Sequence, residues 1–303
     1  MFHNLKLKII QYRKFTYILS LAIIISGLVN IAVHRGLKMG IDFAGGNMLQ
    51  VEVKDENIGI KDIREILLST GYGNNVQKVD DPKRNIFILK TKALPKDNEK
   101  VINKIKKALF DKLGAQNVEI LSVNVVGPRI SKYLLRTSYI IGIVAIGLIL
   151  LYTTFRFKFR FGVAAIIALV HDVLVVLSFI SFFGKEMDTY ILAAILTIIG
   201  YSLNDTIVVF DRARENLRST KAYDEYELTF NKSINQSLSR TIITSFTTLL
   251  SLFALYFFGG LILRNFAFAI IVGVIAGTYS SIFVASAIVV DWHRIKPEKM
   301  KKI

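Results

Sequence analysis

The sequence predicts a membrane all-α protein of six spanning helices, interrupted by one small α+β domain. Three observations predict it. Of the 303 residues, 52% are hydrophobic, and the mean hydropathy is +0.46. That excess is gathered into long apolar runs rather than spread through a mixed pattern, which is the composition of a membrane protein. One segment of about 100 residues between the first two runs is instead polar and shows short strand and helix periods.

Six runs carry the spans: Phe15 to His34, Tyr139 to Phe155, Phe161 to Phe183, Thr189 to Phe210, Thr241 to Phe258 and Phe266 to Val290. Each has roughly the 17–25 residues that a helix needs to cross the hydrocarbon. The first has the basic flank of a signal peptide. Its apolar region is too long for one, and no small-x-small cleavage site precedes His34-Arg35-Gly36, so a retained anchor is expected. Lys and Arg in the short loops set the orientation. Lys6, Lys8, Arg13 and Lys14 precede the first span. Arg156, Lys158 and Arg160 lie between the second and third. Arg212, Arg214, Arg218, Lys221 and Lys232 lie between the fourth and fifth. Arg294, Lys296, Lys299, Lys301 and Lys302 follow the sixth. The other short loops hold only Lys185 and Arg264. Both termini are therefore expected in the cytoplasm. The formal charge of +16 reads as this asymmetry and not as a nucleic-acid surface.

The expected divisions are residues 1–34 for the cytoplasmic N-terminus and first helix, 35–135 for the domain outside the cytoplasm, 136–291 for helices two to six, and 292–303 for a basic cytoplasmic tail. Within the domain, Met48 to Val53 reads as a strand. Ile60 to Ser69 has helical spacing, with Ile63, Ile66 and Leu67 on one face. Asn75 to Asp80 and Ile86 to Lys92 are strands, joined by a turn at Asp81-Pro82. Asp97 to Leu113 is a helix with Val101, Ile105, Ala108 and Leu109 on one side. Val118 to Val126 alternates as a last strand. The order β-α-β-β-α-β is the ferredoxin-like arrangement.

Several chemistries are excluded. There is no cysteine, hence no disulfide and no thiolate metal site. Four scattered histidines form no metal motif, so no metal and no cofactor are expected. No G-x-x-x-x-G-K-[ST], H-E-x-x-H or serine elbow occurs. The chain is not expected to be an enzyme, and any coupling is expected to use an ion, with protons as the candidate.

Asp205 is the first candidate residue. It lies in the fourth span, where an acid is costly and by default marks an ion or proton path. The competing reading is a hydrogen-bonded acid that fixes helix packing. Arg240 opens the fifth span from the same side, at a depth where it can face Asp205. Taken alone, it reads as a snorkelling interfacial arginine. A carboxylate facing an arginine can alternate between an ion pair and a protonated acid. A polar stripe of Thr244, Thr247, Thr248 and Ser251 follows it. His171 and Asp172 in the third span form a second pair, readable as a proton relay or as a buried packing contact. Gly273 and Gly277, continued by Ser281 and Ala285, give the sixth span a smooth face for close packing. Gly40, Asp42, Gly45 and Gly46 mark the passage from the first span into the domain, and Gly127 with Pro128 the return.

These stretches together resemble the SecF branch of the SecD/SecF family of bacterial protein-export membrane proteins, in the RND superfamily. The resemblance rests on Gly40 through Gly46, Val126-Gly127-Pro128, Ala168 through Val173, Ile199 through Arg212 with Glu215-Asn216, and Ser239 through Ser245. It implies an RND-type half with a periplasmic domain, in the inner membrane. It implies pairing with SecD as the other half of a heterodimer. It further implies association with the SecYEG channel, with SecA and YajC as further associates, and with unfolded preprotein as cargo. The implied activity is use of the proton-motive force to promote preprotein export. The family's proton-path positions fall on Asp205 and Arg240. Two other readings stay open: a proton-driven exporter of small molecules, as elsewhere in the superfamily, and an assembly scaffold that transports nothing.

Overall fold

A computed structural model describes residues 7–73, 75–79, 84–92, 97–157, 159–219 and 225–296. The expected turn at Asp81-Pro82, Lys158, Lys221 and most of the basic tail lie outside the described residues. The helices are α1 (Arg13–Val33), α2 (Ile41–Ala44), α3 (Ile60–Ser69), α4 (Asn98–Leu113), α5 (Pro128–Arg156), α6 (Phe159–Phe182), α7 (Thr189–Ser219), α8 (Tyr226–Phe258), α9 (Leu261–Ser280) and α10 (Ser286–Ile295). The strands are β1 (Gly46–Val53), β2 (Asn75–Lys78), β3 (Ile86–Thr91) and β4 (Val118–Val126). Among the described residues, six helices are long and apolar enough to cross a membrane. The chain is a multi-pass membrane protein.

The chain forms two compact units. One holds Met39–Ile140 together with the tetrapeptide Glu186–Thr189. Its sheet is antiparallel in the order β2-β3-β1-β4, which is the ferredoxin-like order. Alternation sends Leu49, Val51, Val53, Phe87 and Leu89 to one face, where Ile63 and Leu67 of α3 and Val101, Ile105 and Leu109 of α4 cover them. α3 begins where the Asp62 carboxylate accepts the Gly59 N–H at 2.8 Å, which satisfies a helix-end donor. α4 stops at Gly114, whose φ of 84° an L side chain resists. β4 ends at the residue before Gly127, and Pro128 is the first residue of α5, a position where its missing N–H costs nothing.

The other unit comprises Met1–Lys38, Ile141–Lys185 and Tyr190–Ile303. α6 is apolar nearly all round, with Ala164, Ala165, Ala168, Val176 and Ile180 buried. Close approach is made by small residues. A methyl group on Gly27 of α1 would overlap Ser178 of α6. Asn30 also donates to the Ser181 hydroxyl at 2.8 Å. Methyl groups on Gly273 and Gly277 of α9 would strike Ile198 and Ser202 of α7 respectively. Phe161, Phe210 and Phe230 form one aromatic cluster, the first two edge-to-face with 4.9 Å between ring centroids. Between α9 and α10 the chain makes a π-helical turn, Ser281–Ala285.

Candidate functional site

α7 brings Ser202, Asp205 and Thr206 onto one face, because residues three and four apart share a side of a helix. All three are buried, and Asp205 is 3% exposed. Its Oδ2 has no hydrogen-bond partner. The groups acting on it come from α8: the charge of Arg240 and the hydroxyl of Ser245. Ser245 is itself engaged with Thr278 Oγ1 of α9 at 2.7 Å. Thr241, a further buried α8 hydroxyl, is also without a partner. Arg240 is exposed. Among the described residues no ion pair joins it to Asp205, so the two sequence candidates meet through their field and not through contact.

The threonine stripe of α8 behaves differently from its sequence reading. Thr244, Thr247 and Thr248 turn their hydroxyls onto the carbonyls of Arg240, Ile243 and Thr244, at 2.9–3.0 Å. Such back-bonding ties each hydroxyl to its own helix, while Thr248 Oγ1 also accepts from the Tyr201 hydroxyl of α7 at 3.2 Å. The α8 hydroxyl that acts on Asp205 belongs instead to Ser245.

Asp172 of α6 is the better connected acid, at 1% exposure. Its Oδ1 is 2.9 Å from His171 Nδ1. Its Oδ2 accepts from Ser202 Oγ of α7 at 2.5 Å and from Ser280 Oγ of α9 at 2.9 Å. His171 Nε2 is 3.0 Å from Ser20 Oγ of α1, Ser20 is 3.2 Å from the Tyr279 hydroxyl, and Tyr279 donates to the Thr16 carbonyl at 2.8 Å. The carboxylate thus ties three helices directly and reaches a fourth, α1, through His171. Nearby, Thr206 and Ser281 share a hydrogen bond of 2.8 Å. Ser281 opens the π turn, a feature that recurs at functional sites in helices. Sequence reasoning missed Ser20, Tyr279 and Ser280, and read Ser281 only as part of the small-residue face of the sixth span. For Tyr279 and Ser280 the available signal was their place on the helix that carries Gly273 and Gly277.

The glycine motif builds a second constellation, within the β unit. Gly46 abuts β3 so closely that a methyl group there would sit 2.6 Å from the Thr91 carbonyl. Gly45 takes a φ of 74°, which glycine adopts freely. The single turn α2 between Gly40 and Gly45 carries Asp42. Asp42 Oδ2 accepts the Thr189 N–H at 3.0 Å and the Thr189 hydroxyl at 2.6 Å. Thr189 is the first residue of α7, so Asp42 caps that helix from 147 residues away. A carboxylate there also complements the positive end of the helix, and a cap of this kind contributes about 0.5–2 kcal/mol.

A family model described as protein export membrane protein SecD/SecF, C-terminal, matches residues 105–295. A second, the SecD/SecF GG motif, matches residues 31–56. The chain belongs to the SecD/SecF family. It is 42% identical over 275 residues to the protein translocase subunit SecF of Thermodesulfovibrio yellowstonii, covering 89% of each chain. It is 38% identical to the protein translocase subunit SecDF of Thermus thermophilus, covering 94% of this chain and 39% of that one. The crystal structure of SecDF from Thermus, titled a translocon-associated membrane protein, superposes with a TM-score of 0.84 at 36% identity, over 96% of this chain and 39% of that one. A second SecDF structure, in a super-membrane-facing form, gives 0.66 at 37% identity.

Proposed function

We propose that this chain is the SecF-type subunit of the Sec protein translocase and works with SecD to drive preprotein export by the proton-motive force. The observation that carries the proton part is Asp205, a buried carboxylate with one oxygen unpartnered and a cation in its field. A fully hydrogen-bonded acid has its lone pairs occupied, whereas this one has room to take and release a proton. In this reading Asp205 is the proton site and Arg240 its charge partner. The Asp172–His171 pair serves as the fixed frame beside it. Moving one elementary charge across the membrane is worth about 2.3 kcal/mol per 100 mV, enough for a few protons to bias a conformational change.

The partner reading rests on length. The SecDF relatives carry this chain as 39% of one polypeptide, so a separate SecD-type chain would supply the rest. The basic loops favour both termini in the cytoplasm of a bacterial inner-membrane protein, with the β unit in the periplasm. There the domain would grip or release an emerging preprotein beside the SecYEG channel.

The test is Asp205→Asn in inverted membrane vesicles that contain the whole translocase. Late-stage export should lose its response to the proton gradient, with chain abundance unchanged. Export that still follows the gradient would remove Asp205 from the mechanism.

A further inference from the structure

α7 carries Asp205, yet its first residue belongs to the β unit. Glu186, Met187 and Thr189 of the tetrapeptide Glu186–Thr189 are each held there by hydrogen bonds. Glu186 pairs with Lys90 Nζ of β3 at 2.6 Å and accepts from Gln77 Nε2 of β2 at 3.2 Å. The Met187 carbonyl accepts the Gly40 N–H at 2.8 Å, and Met39 bridges Met187. A side chain at Gly40 would press on Asp188, 3.1 Å away. Thr189 receives the Asp42 carboxylate on both its N–H and its hydroxyl.

We propose that this clamped tetrapeptide is the handle by which the β unit and the Asp205 helix move together, with Asp42 as its positioning residue. A helix is stiff along its axis because each residue's hydrogen bond is closed within the same element. A push or pull at Thr189 therefore reaches Asp205, roughly four turns further along the same helix. Side-chain pairs and one backbone bond hold the handle, so displacement in either direction is transmitted rather than absorbed in a slack loop. The glycines at positions 40 and 46 set how closely the motif meets Met187 and β3, which fixes where Asp42 stands. This inference rests on Asp205 being the proton site.

The experiment uses the whole translocase in inverted vesicles, with three readouts: chain abundance, proton flow and gradient-stimulated export. Asp42→Ala should keep proton flow and lower export about fivefold, the factor of an ordinary lost helix cap. The second variant is Asp42→Cys with Thr189→Cys, in a chain with no other cysteine. Before linking it should match Asp42→Ala. After joining by a short thiol-reactive linker, export should return. Comparing the same membranes before and after linking holds even if the substitutions lower abundance. Native export in Asp42→Ala, or a linked pair as deficient as the unlinked one, overturns the proposal. Asp205→Asn in parallel separates the two readings. If it retains gradient-driven export, the proton site falls, while rescue by the linker still reports on the handle. If it abolishes proton flow while Asp42→Ala changes nothing, the handle alone falls.

Discussion

Asp172 and Asp205 stand on adjacent membrane helices, equally hidden from solvent, and their surroundings treat them in opposite ways. Asp172 receives a histidine and two serine hydroxyls, from its own helix and two others. Asp205 keeps one oxygen without a partner and senses Arg240 only at a distance. A saturated buried carboxylate is bound into its frame, because every lone pair it gives up strands a neighbour. An unsaturated one carries a standing cost that a proton or a cation relieves. The difference teaches that equal burial can leave two acids in opposite hydrogen-bonding states, and the proposed proton role of Asp205 rests on that difference.

The sharpest way to break this comparison is to remove each acid and measure the fold. Asp172→Ala leaves His171, Ser202 and Ser280 facing an empty site, and we expect a loss of about 2–4 kcal/mol, since each buried group left without its partner costs about 1–3 kcal/mol. Detergent-solubilised unfolding should show it as an early transition and poor yield. A near-native transition would mean that Asp172 is not a frame. Next in size, Ser280→Ala removes one buried hydrogen bond and should cost about 0.5–1.5 kcal/mol in the same assay. Asp205→Leu should do the reverse. Replacing a buried acid that has one unpartnered oxygen by an apolar side chain should leave stability unchanged or raise it by up to about 2 kcal/mol. A large destabilisation would return Asp205 to the packing role.

The smallest effect tests burial of a charge near a helix end. Burial, followed by the like charge of Arg264, holds the Lys185 ammonium below the usual lysine value. It lies 5.6 Å from the Phe268 ring centroid. With the folded value lowered, the ammonium costs stability while it is charged in both states. That cost is relieved as pH rises through the folded value towards the ordinary one. Lys185→Gln should therefore stabilise by a few tenths of a kcal/mol at neutral pH, solvent screening keeping it small. The advantage should fade on the alkaline side, and a gain that grows with pH would contradict the sign.

Much of the architecture was legible because it is periodic. The six apolar runs match the six long helices, and the period-2 and period-3.6 patterns of residues 48–126 gave the strand and helix order. Span two was read short, from Tyr139, because Arg129, Lys132 and Arg136 interrupt its apolar run. The helix begins at Pro128, since charges on an exposed helix end do not break its hydrogen bonds. Asp205 and Asp172 were visible as misplaced acids, but their opposite hydrogen-bond states were not. Those depend on which hydroxyls of α1, α7 and α9 turn inward, and a serine in an apolar helix looks the same in sequence whichever way it faces. The Asp42–Thr189 cap was hidden for a different reason: nothing local relates two residues 147 positions apart.

The π turn at Ser281–Ala285 has a consequence for how this helix tolerates changes in length. Such a turn is an α-helix holding one surplus residue. Elsewhere in a helix, losing a residue swings everything downstream by about 100°. Here the surplus is already accommodated, so deleting one residue such as Phe283 would close the turn to ordinary α geometry. Ser280 would stay on Asp172, and Asp291 would stay on Arg13, 2.8 Å from its guanidinium. The same deletion in α7 would carry Asp205 off its face, so the two helices differ in what a single lost codon would do.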